Sequence, residues 1–106
     1  MGDEIVILIT AAAAEEAGTI AKALVQEHLA ACVNIIPGVR SFFFWEGRTQ
    51  EAQEALLVCK SRLPLMGKVM ERVKALHSYS VPEIIALPVA AGLESYLAWV
   101  RDSTKG

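Results

Sequence analysis

Three absences restrict what this 106-residue chain can do. Its two cysteines, Cys32 and Cys59, are too few for a disulfide framework and do not form a CxxC pair. Its apolar runs are shorter than the roughly 18 residues of a membrane span, and its first residues lack the basic start of a signal peptide. No phosphate-binding loop, zinc-protease motif or nucleophile elbow is present. We therefore expect a cytoplasmic protein that has no membrane partner and no enzymatic activity.

Positive charge is also scarce, whereas apolar side chains are abundant. The net charge is −2 and the isoelectric point is about 5.6, so the basic face that nucleic acid requires is absent. The hydrophobic content is 54% and the mean hydropathy is +0.40. A small domain buries only about 60–70% of the surface of its unfolded chain. A monomer of this size therefore cannot easily hide all of its apolar side chains.

Hydrophobic periodicity predicts one domain over residues 1–106, with the order β-α-β-β-α-β and a terminal helix. The predicted strands are 5–10, 32–45 with an interruption at Pro37-Gly38, 51–60, and a fourth after Pro82. The predicted helices are 15–29, 64–76 and a short one after Gly92. This order indicates an α+β, ferredoxin-like split-βαβ fold with a long hairpin between the second and third strands and a C-terminal helix.

Several predicted strands are apolar on both faces, namely Ile5–Ile9, Leu56–Cys59 and Ile84–Leu87. Such strands need cover on both faces, and the third helix is too short to supply the second cover. We therefore predict that another copy of the protein packs against the sheet. The aromatic run Phe42–Trp45 at the end of the hairpin fits contact with a partner. An RNA-recognition motif is excluded because the first and third strands carry no aromatic side chain.

Polar side chains surround the end of the second predicted helix and the start of the last strand. His77, Tyr79 and Glu83 lie here, and three interpretations are open: a metal site, a small-molecule pocket, or polar groups that end a helix and begin a strand. A histidine in the last helical turn stabilises the helix dipole, but histidine is also a common metal ligand. The other histidine, His28, falls on the apolar stripe of the first helix, so we expect it to pack in the core.

Two further pairs of residues have open roles. Cys32 and Cys59 lie on adjoining strands, but a tight turn does not place them opposite each other, so we expect free, buried cysteines. Lys60 ends the third strand and Glu83 begins the fourth. These two side chains either pair with each other or face a pocket together with Tyr79.

Three segments of the sequence resemble the CutA divalent-cation tolerance family: ALVQEHLAACVNIIPGVRSFFFWEG, LLVCKSR and ERVKALHSYSVPEIIALPVAAGLESYLAWV. The similarity covers nearly the whole chain in the same order. It implies a ferredoxin-like fold assembled into a homotrimer, with the long hairpins reaching neighbouring subunits. It also implies a response to copper and other divalent cations, with copper bound in some members. The trimer of this family is similar in architecture to the PII signalling proteins.

The resemblance also implies where the functional residues lie. The positions that match the family's recurrent residues are Cys32, Asn34, Trp45, Lys60, His77, Tyr79, Pro82, Glu83, Tyr96 and Trp99. The implied metal ligands, at a cleft between subunits, are His77, Cys32 and Glu83. The implied cleft or ligand-binding residues are Trp45, Lys60, Tyr79, Tyr96 and Trp99. The expected ligand is copper (Cu²⁺) or another divalent cation, with no organic cofactor. The alternative is a PII-like trimeric signalling module that binds a small anionic metabolite through Lys60.

Two departures from the family pattern bear on the metal. The usual HPYE is HSYS here, so Ser78 replaces a proline and Ser80 replaces an acidic residue. The loop after the first strand, often acidic in the family, is Ala11–Ala14 and cannot bind a cation through its side chains. Both changes favour ligation of a soft or borderline metal by cysteine and histidine over a hard-metal site.

Overall fold

Four antiparallel strands and three α-helices form the protein, and the computed structural model describes residues 2–105. The elements are β1 (Glu4–Ala11), α1 (Ala14–Gln26), β2 (Cys32–Trp45), β3 (Arg48–Arg62), α2 (Met66–Leu76), β4 (Ile84–Pro88) and α3 (Glu94–Ser103). A 3-10 turn, Leu63–Leu65, leads into α2 and contains the proline predicted to begin that helix. The predicted order of elements and the ferredoxin-like fold are thus confirmed. Among the helices of the described residues, none is long and apolar enough to cross a membrane.

The sheet has the order β2-β3-β1-β4, with every neighbouring pair antiparallel. On one face, the odd-numbered residues of β1 pack with alternate residues of β3 beneath α1 and α2. The buried residues of this core are Ile5, Ile7, Ile9, Ala11, Ala17, Ile20, Leu24, Ala30, Ala55, Leu57, Cys59, Val69 and Val73. The period of two in the strands and the period of about 3.6 in the helices bring these side chains together.

Helix α1 ends three residues earlier than predicted, at Gln26. The backbone N–H groups of Leu29 and Ala30 both donate to the carbonyl of Leu24, so the chain turns sharply here. His28 adopts a left-handed conformation with φ of 61°, and its side chain is exposed. Its Nδ1 lies 3.3 Å from the carbonyl oxygen of Ser103. The prediction that His28 packs in the core is therefore wrong, because the turn rotates it off the apolar stripe.

The β2-β3 hairpin is long and carries the predicted irregularity. The register shifts between Ile36 and Val39, where Gly38 adopts a φ of 71° that an L side chain rarely takes. The hairpin closes through a two-residue turn, Glu46-Gly47, in which both residues have positive φ, as in a type I′ turn. The aromatic residues before this turn, 42–45, remain exposed. The tip of the hairpin therefore presents apolar surface away from the core.

The second face of the sheet is apolar and only partly covered. Register pairs place these residues on it: Cys32, Asn34, Ile36, Leu56, Val58, Lys60, Val6, Leu8, Thr10, Ile85 and Leu87. Helix α3 contacts β1 and β3 at one end of this face, where Val100 is buried. Elsewhere the face is open, and Ile36, Ile85 and Leu87 are each 48–49% exposed. The structure thus confirms that the strands are apolar on both faces and that α3 is too short to cover the second one. We call the part beyond α3 the open sheet face.

Candidate functional site

The polar residues that the sequence singles out fall into two groups at opposite ends of the sheet. The first, here the cysteine cluster, comprises Cys32, Asn34, Lys60, Tyr96 and Trp99. The second, here the glutamate cavity, is lined by Thr10, Ser41, Phe42, Phe43, Trp45, Glu54, Tyr79, Ser80, Val81 and Glu83. Register shows their separation: Cys32 pairs with Lys60 and Lys60 with Val6, whereas Thr10 lies four residues further along β1. Four residues of strand span about 13 Å.

The cysteine cluster brings a thiol, an ammonium group and a phenol together beside α3. The Sγ atom of Cys32 lies 3.8 Å from Oδ1 of Asn34, and Lys60 donates a hydrogen bond to the same oxygen. The hydroxyl of Tyr96 lies beside the Cys32 thiol, and the pKa of Tyr96 is raised mainly by burial and further by Cys32. The ring of Trp99 packs on that of Tyr96, with the ring centroids 5.5 Å apart. Cys32 is half-buried, so the cluster offers a soft ligand atom near the surface.

Cys59 has a different environment and takes no part in this cluster. It pairs with Val33, one position away from the pair of Cys32 and Lys60, so its side chain points to the opposite face of the sheet. Burial raises the pKa of the Cys59 thiol to about 12. Both cysteines are free, as predicted. However, only Cys59 is fully buried, so the expectation of burial fails for Cys32.

The glutamate cavity has a volume of about 720 Å³ and lies between the start of the hairpin tip and the segment before β4. The Glu54 side chain is nearly buried, with the residue 9% exposed. The hydroxyl of Tyr79 donates a 2.8 Å hydrogen bond to Oε2 of Glu54. Glu83 lines the same cavity and is exposed. Two carboxylates, a phenol and several aromatic rings therefore surround one space.

The His77 side chain is buried, and both of its ring nitrogens have hydrogen-bond partners. Nε2 lies 2.7 Å from the carbonyl oxygen of Thr10, so Nε2 carries the hydrogen in this contact because a carbonyl only accepts. The backbone N–H of Tyr79 donates to Nδ1 over 3.0 Å. The ring thus ties the end of α2 and the Tyr79 segment to β1. A metal ion can bind His77 only after displacing one of these hydrogen bonds.

Glu16 of α1 completes the surroundings of His77. Its Oε2 lies 3.3 Å from Nδ1 of His77, and this buried oxygen accepts no hydrogen bond from the described residues. Because Nδ1 already accepts from the Tyr79 N–H, the Glu16 oxygen receives no hydrogen bond from the imidazole ring. Glu16 therefore places beside His77 a buried carboxylate oxygen that has no donor within residues 2–105, which costs stability.

The predicted metal ligands do not meet within one chain. His77 lies at the Thr10 end of β1 and Cys32 at the Val6 end, whereas Glu83 belongs to the glutamate cavity. Within residues 2–105, no group of three His, Cys, Asp or Glu side chains is arranged to hold a metal ion. A site that joins these residues across subunits stays a prediction.

The predicted cleft residues are likewise divided. Trp45 and Tyr79 line the glutamate cavity, while Lys60, Tyr96 and Trp99 belong to the cysteine cluster. Of the two roles open for Lys60, neither is seen: it bonds to Asn34, and the glutamate cavity that contains Tyr79 and Glu83 lies at the other end of the sheet.

Sequence reasoning missed two acidic residues that shape the site, Glu16 and Glu54. A signal for Glu16 was present, because it stands four and eight residues before Ile20 and Leu24 on the buried stripe of α1. Glu54 directly precedes the apolar centre of β3, which placed it near the core, but its partner Tyr79 is 25 residues distant. Contacts across such separations come from the fold and have no local pattern.

Tyr79 yields a prediction about pH. Burial, and then Glu54, raise the pKa of Tyr79 to about 12, above the value of about 10 in an unfolded chain. This contribution to stability is complete below about pH 10 and is lost as the pH rises through 12. We expect Glu54→Gln to move the Tyr79 pKa only part of the way towards 10, because burial, the larger cause, remains. Tyrosinate absorbance in a Tyr96→Phe background measures this, and an unchanged pKa would contradict the assigned contact.

Glu16 yields a prediction about stability. We expect Glu16→Gln to keep or raise the free energy of unfolding at pH 8, because it removes the charge of a buried carboxylate oxygen that has no hydrogen-bond donor in the described part of the chain. His77→Ala should lower it by about 1–3 kcal/mol, since it leaves the Thr10 carbonyl without its partner. Urea unfolding at one protein concentration measures both. Glu15→Gln, exposed in the same helical turn, is the control for the helix dipole. A loss in Glu16→Gln as large as in His77→Ala would show that the Glu16 carboxylate stabilises the fold, which contradicts this account.

Known proteins resemble this chain over nearly its whole length. The divalent-cation tolerance protein CutA of Thermus thermophilus is 55% identical over 101 residues, covering 95% of this chain and 98% of that protein. A chloroplastic CutA protein of Arabidopsis thaliana is 46% identical over 95% of this chain, which spans 56% of that longer protein.

Solved structures agree with the sequence relationship. The Thermus thermophilus structure of the divalent cation tolerance protein superposes with a TM-score of 0.94, covering 95% of this chain and 98% of that one. A structure from Archaeoglobus fulgidus, described as a periplasmic divalent cation tolerance protein CutA, is 43% identical with a TM-score of 0.93, covering 96% and 99%. Residues 5–103 match the family model described as CutA1 divalent ion tolerance protein. The resemblance drawn from the motifs is therefore confirmed, and the chain belongs to the CutA1 divalent ion tolerance family.

Proposed function

We propose that this protein acts in the response and tolerance to divalent metal cations, as a homotrimer that binds copper at a cleft between subunits. Family membership over residues 5–103 supports the role in cation tolerance. The observation that carries the copper site is the half-buried Cys32 thiol beside the Tyr96 hydroxyl, on the second face of the sheet. That the protein is not an enzyme stays a prediction from its sequence.

The open sheet face supports the homotrimer. It exposes large apolar side chains beyond α3, and the aromatic end of the hairpin adds Phe42 and Phe44, which are 62% and 72% exposed. Contiguous apolar surface of this kind marks contact with a partner. In a trimer built on this face, the hairpin of one subunit covers the sheet of the next. The apolar excess of the composition is then buried between copies.

The chemistry of the cysteine cluster supports copper over a hard metal. Thiolate is a soft ligand that suits copper and zinc, whereas calcium and magnesium require oxygen ligands. Glu83 and His77 lie at the other end of the same subunit, so they reach Cys32 only from a neighbouring copy. His77 must in addition give up the Thr10 or Tyr79 hydrogen bond. Cys32 is therefore the principal ligand of this proposal.

One observation favours the second candidate function, a PII-like module that binds a small anionic metabolite. Within residues 2–105, Lys60 has no carboxylate partner, and its ammonium group bonds to the neutral amide of Asn34. Lys60 also lines a small, mainly apolar cavity of about 240 Å³ together with Tyr96 and with Glu4, whose carboxylate is paired with Arg101. An uncompensated positive charge beside an apolar cavity can bind an anion. Lys60→Ala should then abolish binding of the metabolite while His77→Ala leaves it intact.

The compartment stays a proposal. We propose the cytoplasm, because two unpaired cysteines fit a reducing environment. Relatives are described as chloroplastic in Arabidopsis thaliana and periplasmic in Archaeoglobus fulgidus, so the family occurs in more than one compartment.

The copper site gives a direct prediction. Cys32→Ser should weaken copper binding at least tenfold, which corresponds to about 1.4 kcal/mol, because it removes the soft ligand. Cys59→Ala is the matched control, since Cys59 is buried on the opposite face and should leave the affinity unchanged. Isothermal titration under anaerobic conditions measures the affinity, with magnesium and calcium binding far more weakly.

The titration, together with a growth assay at raised copper, decides the copper proposal. If Cys32→Ser binds copper as tightly as the wild type, the copper site is wrong, although membership of the family is unaffected. If Cys32→Ser loses copper binding, and cells that depend on this variant fail to grow at raised copper, both the copper site and its role in tolerance are supported.

A further inference from the structure

The glutamate cavity has the size and lining of a site for a small organic molecule. Its volume of about 720 Å³ lies within the usual range of about 300–1,000 Å³ for ligand pockets. It lies at the Thr10 end of the sheet, away from the cysteine cluster. Of its lining residues, the metal proposal centred on Cys32 involves only Glu83, from a neighbouring copy.

The charge of the cavity is negative and uncompensated. Glu54 and Glu83 are its only charged lining residues, and no lysine, arginine or histidine lines it. Within residues 2–105, neither glutamate forms an ion pair. The nearby Arg40 is committed elsewhere: it pairs with Glu51 over 2.8 Å and stacks on the ring of Phe42.

Glu54 points to the ligand most directly. It is about nine-tenths buried, and one of its oxygens accepts the Tyr79 hydroxyl. The other oxygen, Oε1, has no hydrogen-bond donor among the described residues, although it is not sealed from solvent. An oxygen that is free and open to solvent can accept a charge-assisted hydrogen bond from a bound ammonium group.

The remaining walls select the kind of cation. Phe43 and Trp45 line the cavity with aromatic rings, whose faces attract ammonium groups. A bare metal ion would gain little from such rings, and the described residues place no third acidic, histidine or cysteine ligand beside Glu54 and Glu83. We propose that the glutamate cavity binds a small organic cation, with its ammonium group at Glu54 and Glu83 and its apolar part against Phe43 and Trp45.

The test uses three probes of nearly the same shape and different charge. Benzylamine is protonated at neutral pH, benzyl alcohol is neutral and benzoate is anionic. Binding is followed by the fluorescence of Trp45 in the assembled protein carrying Trp99→Phe, which removes the other tryptophan. We expect benzylamine to bind at least about tenfold more tightly than benzyl alcohol, and benzoate not to bind, because only the amine offers the cation.

Variants locate the site. Glu54→Gln and Glu83→Gln should each weaken benzylamine binding about tenfold, while leaving benzyl alcohol unchanged. Glu71→Gln, an exposed glutamate of α2 outside the cavity, is the matched control for net charge and should have no effect. Glu83 is exposed, so Glu83→Gln still decides the matter if Glu54→Gln does not fold.

Four results would overturn the proposal. Equal affinity for benzyl alcohol and benzylamine means an apolar pocket only. Equal weakening in Glu71→Gln means nonspecific attraction by net charge. If zinc displaces benzylamine, and zinc binding is lost in Glu54→Gln, the cavity is a metal site. The absence of saturable benzylamine binding in the assembled protein means that a neighbouring subunit fills the cavity.

Discussion

The structure depends on one constraint: both faces of the sheet are apolar, but the helices cover only one of them completely. Helices α1 and α2 cover the face that carries Ile7 and Leu57, which are completely buried. On the other face α3 covers only one end, and side chains such as Ile85 and Leu87 remain about half exposed. Burial of apolar surface is the main force that stabilises folds, and an exposed apolar face of this kind is typical of a surface that binds a partner. The proposed assembly therefore rests on the apolar sheet face and not on any ligand site.

The same geometry explains why the polar residues form two incomplete sites. Cys32 lies at one end of the sheet, level with Val6, and His77 at the other, bound to Thr10. These two positions of β1 are about 13 Å apart. Bending of the sheet cannot bring the two side chains into contact within one subunit. Within one subunit the thiol and the glutamate cavity therefore act separately. A site that combines the two ends exists only where copies of the chain meet, so the proposed copper cleft and the proposed trimer rest on the same surface.

The fold could be predicted from the sequence because local hydrophobic periodicity determines its helices and strands. Alternation and helical spacing gave the correct order of elements, and Pro37-Gly38 marked the bulge in β2. The sequence-based predictions failed where contacts between distant segments determine the position of a side chain. His28 left the core because a left-handed turn ends α1 early, and Lys60 and Glu83 proved to lie at opposite ends of the sheet. The contact between Glu54 and Tyr79, made between distant segments, likewise has no local pattern.

The most direct test of the central claim is the mass of the native protein in solution. Native mass spectrometry with dilution through the micromolar range should show three chains that stay together, because the open sheet face is buried between them. Leu87→Glu, which places a charge on that face, should release monomers, whereas Val25→Glu on the outer surface of α1 should not. A stable wild-type monomer at micromolar concentration, or a trimer indifferent to Leu87→Glu, would contradict the account.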